Sequence, residues 1–182
     1  HAFSSCRSLQ NIKIEGSLSK IEKYLFSDCP SLSSVSLPGS IKKIESGAFN
    51  SCFSLKEIII PNGVKKIGKK AFSYCNSLER VSLPSTLEVI KDKAFENCKN
   101  IKKIHIPDSV REIGEDVFSY CISLEVATIG KNVVELKARV FNKCDNLREL
   151  TLPKNLKNIG YRAFYECRSL QNIIIPDQTE EI

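Results

Sequence analysis

Eight cysteines stand at positions 6, 29, 52, 75, 98, 121, 144 and 167, and every interval between neighbours is 23 residues. Eight of the nine phenylalanines keep the same step, at 3, 26, 49, 72, 95, 118, 141 and 164, each three residues ahead of a cysteine. Two residue types sharing one period along the whole chain confine it to a repeat architecture, in which a unit too small to bury its own apolar face is completed by its neighbours. The other apolar positions fall into the same columns. One unit runs Leu55, Ile58, Ile60, Val64, Ile67, Ala71, Phe72, Cys75, and residues of the same kinds recur at the equivalent places in the other units.

Each unit divides into short pieces. Ile58 and Ile60 alternate with Glu57 and Ile59, the period of a strand. Pro61 has no N–H to give to a ladder and ends the strand; Asn62-Gly63 is a turn pair. Val64 and Ile67 mark a short extended return, and Gly68, Gly114 and Gly160 offer a bend after it. Lys70 to Cys75 is too short for an independent helix, and one helical or 3-10 turn is expected there. Eight stacked units at about 4.8 Å each extend over roughly 35–40 Å.

The pattern Leu-x-x-Ile-x-Ile-Pro, Val-x-x-Ile-Gly, Ala-Phe-x-x-Cys resembles the BspA-like leucine-rich repeats, the Treponema pallidum type. Residues Glu57 to Cys75 and Lys102 to Cys121 match it closely, and the resemblance spans the whole chain. It implies an α/β repeat fold: a right-handed leucine-rich-repeat solenoid of eight 23-residue coils, with a parallel concave β-sheet and short helical or 3-10 turns on the convex side. It also implies a cell-surface protein that adheres to host matrix or cells, and it brings no catalytic residues. Residues 1–182 are expected to form one solenoid domain. The start at His1, within three residues of the first Phe-x-x-Cys, and the end at Ile182, part-way through a return, suggest a piece of a longer array.

The cysteine column admits three readings. Equivalent side chains in adjacent coils point the same way, one strand spacing apart, whereas a disulfide needs Cβ atoms about 3.5–4.5 Å apart with a defined torsion. A straight row also fails to offer four thiolates in a tetrahedron for zinc. The column therefore reads as buried, reduced thiols used as small core residues. His1 and His105 are the only histidines, so no histidine cluster exists to hold a metal or to catalyse. No cofactor and no enzymatic activity are expected. No apolar run approaches the roughly 20 residues of a membrane span.

The net charge of +6 is unevenly placed: residues 1–75 carry eleven Lys or Arg against five Asp or Glu, and residues 76–182 carry sixteen of each. Lys42, Lys43, Lys65, Lys66, Lys69 and Lys70 form the densest patch, with Lys42 equivalent to Lys65 and Lys43 to Lys66. Such a patch suits a polyanion, and it equally describes a solvated face, the reading the sequence favours. Nucleic acid is disfavoured because no aromatic residue is interleaved to stack on bases.

Outward positions of the strands vary in kind. Ile59, Val126 and Ile174 are apolar where water is expected, and Arg80, Lys102, Lys103 and His105 supply cations nearby. These seven residues are the candidate partner-binding set, and a protein is the expected partner. The leading function is a binding or adhesion module at the cell surface or secreted; the alternative is an intracellular scaffold. The absence of an Asn-x-Ser/Thr sequon is compatible with a bacterial or an intracellular origin. The unit after Cys121 departs from the pattern, with Ala127 in a core column and Gly130 where most units have Pro, which reads as tolerated drift rather than a kink.

Overall fold

In each unit the alternating apolar residues close a short strand, and the strands of successive units lie side by side. The computed structural model describes residues 1–182. The first units give β1 (Asn11–Lys13), β2 (Lys20–Ile21), β3 (Ser34–Ser36), β4 (Lys43–Ile44), β5 (Glu57–Ile59), β6 (Lys66–Ile67), β7 (Arg80–Ser82) and β8 (Val89–Ile90). The later ones give β9 (Lys103–His105), β10 (Glu112–Ile113), β11 (Val126–Thr128), β12 (Glu135–Leu136), β13 (Glu149–Thr151) and β14 (Asn158–Ile159). All pairings are parallel and offset by one period, as in Ile58 opposite Val81 and Ile67 opposite Ile90. The result is a right-handed parallel β-solenoid with two rows of strands.

The odd-numbered row is hydrogen-bonded in three groups, β1–β3, β5–β7 and β9–β11–β13, rather than as one sheet. The return row is more continuous: β2–β4–β6–β8–β10 is one unbroken ladder, followed by β12–β14. Seven strands stand in each row, so the expected count of eight coils is not reached. Residues 172–174, at the eighth position, form no strand. Their N–H groups lack the cross-coil bonds that Val126 makes to Lys102 and Glu149 makes to Glu125.

No helix and no 3-10 turn exists on the far side, contrary to expectation. The segments leading to each cysteine are chains of turns, and two features prevent a helix. Alternate N–H groups leave their own coil: Lys70, Phe72 and Tyr74 donate to the carbonyls of Asp92, Ala94 and Glu96 in the next coil at 3.0, 2.8 and 2.8 Å. The intervening Ala71, Ser73 and Cys75 donate back three residues, to Gly68, Lys70 and Phe72. Left-handed residues also recur at Lys70 and Tyr74 (φ 56° and 62°), which a right-handed helix cannot contain. The turns thus make a third inter-coil ladder.

The core between these rows is one cluster of 43 buried apolar residues running through the stack. The eight phenylalanines of the repeat stack face to face with centroids 5.3–6.0 Å apart. All eight cysteines are free thiols, six of them buried. The glycines after the return row are set by close packing rather than by a bend. A Cβ on Gly68 would lie 2.5 Å from the Ser46 nitrogen, and one on Gly114 would overlap the Asp92 backbone. The divergent sixth unit stays in register on both sides, with Val126 opposite Lys103 and Glu149, so no kink forms.

Candidate functional site: two exposed rows of the solenoid

Along the odd-numbered row, the residues one before and one after each central strand residue are exposed, except on β11, where Val126 and Thr128 are half-buried. On β5 and β7 these include Ile59, 68% exposed, and Arg80, whose guanidinium donates to Glu57 Oε2 at 2.7 Å. That bond, with Glu57's charge, raises the Arg80 pKa above its ordinary value. Ile59, Arg80, Lys102 and Lys103 line one shallow groove with Glu57, Glu79 and Ser82, at the place where the ladder between β7 and β9 is open. Val126 lies opposite Lys103, and His105 opposite Thr128, so both adjoin the groove on β9 and β11. Six of the seven candidate residues are therefore brought together. Ile174, 87% exposed, is separate; it lies in another groove with Arg148, Thr151 and Asn172.

Lys102 and Lys103 have no carboxylate within 4.0 Å, whereas Arg80 is paired. Arg80 belongs to the cationic set expected from the sequence, and its charge is shared with Glu57. The signal was available: Glu57 and Arg80 occupy one column in adjacent units, and opposite charges in register pair across a ladder.

The lysine patch lies on and beside the return row, where Lys43 is opposite Lys66. Lys65 is held by Glu88 at 3.0 Å and Lys69 lies 3.8 Å from Asp92, while Lys42, Lys43, Lys66 and Lys70 have no ion-pair partner. The patch is thus split between paired and unpaired members.

The turn row was not singled out from the sequence, yet it carries all five tyrosines. Each of Tyr24, Tyr74, Tyr120, Tyr161 and Tyr165 is exposed or nearly so. Lys143 sits over the Tyr120 ring at 5.3 Å, and Arg162 lies 5.0 and 4.8 Å from the rings of Tyr161 and Tyr165. Asp116, only 5% exposed, receives Arg139 in a two-pronged bond of 2.9 and 3.0 Å.

Across the molecule no three His, Cys, Asp or Glu side chains converge to hold a metal ion. Burial pushes the thiols of Cys75 and Cys121 up to about 12, and that of Cys167 to about 11. No helix is long and apolar enough to cross a membrane.

Parallel strands in two rows, a stacked phenylalanine column and surfaces of variable side chains define a leucine-rich-repeat solenoid. The BspA type leucine rich repeat region is matched in six copies, over residues 1–82 and 65–182. The chain belongs to that family. The crystal structure of a Treponema pallidum leucine rich repeat protein is similar over 85% of this chain and 72% of its own, at 33% identity and a TM-score of 0.83. A leucine rich cell surface protein from Faecalibacterium prausnitzii is similar at 25% identity and a TM-score of 0.66. That likeness covers 98% of this chain and 64% of the other, so this chain spans less than two thirds of that relative's length. The pneumococcal vaccine antigen PcpA, at 22% identity and a TM-score of 0.54, shares the fold over 90% of this chain and 56% of its own. Comparison with curated proteins gives no match.

Proposed function

We propose that this chain is a non-catalytic recognition module of a cell-surface or secreted protein, and that it binds a protein partner through the groove over β5, β7 and β9. One observation carries the reading: Ile59, 68% exposed, is an apolar anchor on a strand face, ringed by Arg80, Glu57, Lys102 and Lys103. Covering such a side chain contributes about 1.5–3 kcal/mol to association. A rim of charged groups around an apolar centre is the arrangement of an interface hot spot. His105 and Val126 extend the surface along β9 and β11, and Ile174 offers a second, separate anchor. The F. prausnitzii relative's description as a cell surface protein supports the location. A matrix or cell-surface protein of a host is the class of partner that follows.

Biolayer interferometry against immobilised matrix glycoproteins tests this. The wild-type chain is expected to bind at least one of them. The Ile59→Asp, Arg80→Glu double variant should bind about tenfold more weakly or worse. Equal binding by the variant, or no binding to any protein of the panel, would reject the groove as the partner site.

A further inference from the structure

The first coils of the return row stack like charges. Lys20, Lys43 and Lys66 occupy consecutive paired positions of β2, β4 and β6. Their Cα atoms are one strand spacing apart, about 4.8 Å. Like charges directly opposite each other weaken a ladder, and here the opposition occurs twice in succession. Lys42 and Lys65 add a neighbouring pair, joined through the Lys65 N–H and the Lys42 carbonyl at 2.9 Å.

The later coils are built otherwise. There the equivalent positions are Val89, Glu112, Glu135 and Asn158. Many of their cations are neutralised: Lys91 meets Glu112 at 2.6 Å, Lys131 meets Asp108 at 3.1 Å, and Lys157 meets Glu180 at 3.4 Å. In the early coils Lys20 is held by Glu22 at 3.0 Å and Lys65 by Glu88 at 3.0 Å, but Lys42, Lys43, Lys66 and Lys70 lack a carboxylate within 4.0 Å. Among the hydrogen-bonded pairs of the return row only these two set like charges opposite each other, Lys20 with Lys43 and Lys43 with Lys66, Glu112 and Glu135 being separated by the gap between β10 and β12. A local rule broken there marks a site kept for a purpose other than stability.

We propose that this row is a binding track for a linear acidic polysaccharide, a polymer carrying a carboxylate or sulfate on successive sugars. β2, β4 and β6 lie in the unbroken ladder, so the lysines stem from a rigid line along the solenoid. A polymer with regularly spaced anions meets them one after another. The chemistry favours saccharide over nucleic acid. Every basic residue of the track is lysine, a point charge, and the arginine fork that grips phosphate in two places is missing. None of residues 19–23, 42–46 or 65–69 is aromatic, so bases would find nothing to stack on. The track uses a different row of strands from the groove at Ile59, and either site stands without the other.

The test is titration calorimetry of the intact chain with three probes: a heparin oligosaccharide, polygalacturonate and a short DNA duplex. The key variant is Lys43→Glu with Lys66→Glu. The control is Lys99→Glu with Lys154→Glu, which changes net charge equally at unpaired lysines elsewhere. Binding to at least one saccharide at about 0.15 M salt is expected. The key variant should weaken it about tenfold and lower the slope of log K against log salt by about two, with the control within about twofold of wild type. An equal loss in the control would reduce the effect to net charge and overturn the proposal. So would no saccharide binding at that salt, or DNA bound more tightly than both saccharides.

Discussion

The thiol of Cys75 donates to the main-chain carbonyl of Phe49 in the preceding coil at 3.2 Å, and the same oxygen accepts the N–H of Cys52 at 3.3 Å. Each later cysteine repeats the contact, from Cys98 on Phe72 to Cys167 on Phe141. The oxygen lies in the core, where an unmet lone pair is costly. Cysteine is small enough for the column and still supplies a weak donor. That is a physical reason for cysteine at every repeat in place of alanine or valine.

Cys75→Ala should therefore destabilise the chain by about 1–2 kcal/mol, from a small cavity and the lost donor. Urea unfolding followed by circular dichroism checks this through the midpoint at unchanged m-value. No loss would mean that the thiol contact is incidental to packing.

Alkaline pH should weaken the fold through the same column. Burial holds Cys75 and Cys121 up to about 12 in the folded chain, whereas an unfolded thiol titrates near 8.5. Above about pH 8.5 the unfolded state releases protons that the folded state keeps. This contribution is full below that pH and is lost as pH rises towards about 12. Thermal midpoints measured from pH 7 to 10.5 should fall, and fall less steeply in the Cys75→Ala, Cys121→Ala variant. Parallel curves for the two proteins would show that the Cys75 and Cys121 thiols do not set the slope.

Much of this architecture could be read from the period because the columns Phe49–Phe72–Phe95 and Cys52–Cys75–Cys98 are identical residues at identical places, and their stacking follows from the step of 23. Lys70 to Cys75 was misread because local reasoning counts hydrogen bonds within a segment. The N–H groups of Lys70, Phe72 and Tyr74 are instead satisfied by the next coil, which no six-residue window displays. The groove at Ile59 was visible as an apolar residue at an outward position. Its place was not, since it lies at a break in the ladder between β7 and β9 that no residue in the sequence marks. The pairing of Lys65 with Glu88 and Arg80 with Glu57 was legible in principle, by comparing charges within a column.

Gly114→Ala should cost far more than Gly39→Ala. A Cβ at Gly114 overlaps the backbone of Asp92 in the neighbouring coil, while one at Gly39 meets nothing within 4 Å. Overpacking against backbone costs about 1–3 kcal/mol, and the exposed turn at Gly39 has room. Differential scanning calorimetry of the two variants decides the matter: a similar midpoint for both would remove close coil-to-coil approach as the reason for glycine after the return row.

The final expectation separates a structural ion pair from a surface one. Asp116 is 5% exposed, and its two oxygens receive Arg139 at 2.9 and 3.0 Å, with Lys93 farther off at 4.0 Å. Arg139→Gln leaves that carboxylate poorly compensated. Breaking a fully buried pair costs about 3–5 kcal/mol, but the Arg139 side chain is 36% exposed and water screens part of the loss. A destabilisation of about 1–3 kcal/mol is expected. Adding Asp116→Asn should recover much of it, because the stranded charge is then gone. Arg80→Gln, at the exposed pair with Glu57, should leave the urea midpoint essentially unchanged. It would still weaken partner binding if the groove is the recognition surface. Equal stability losses for Arg139→Gln and Arg80→Gln would refute the distinction drawn from burial.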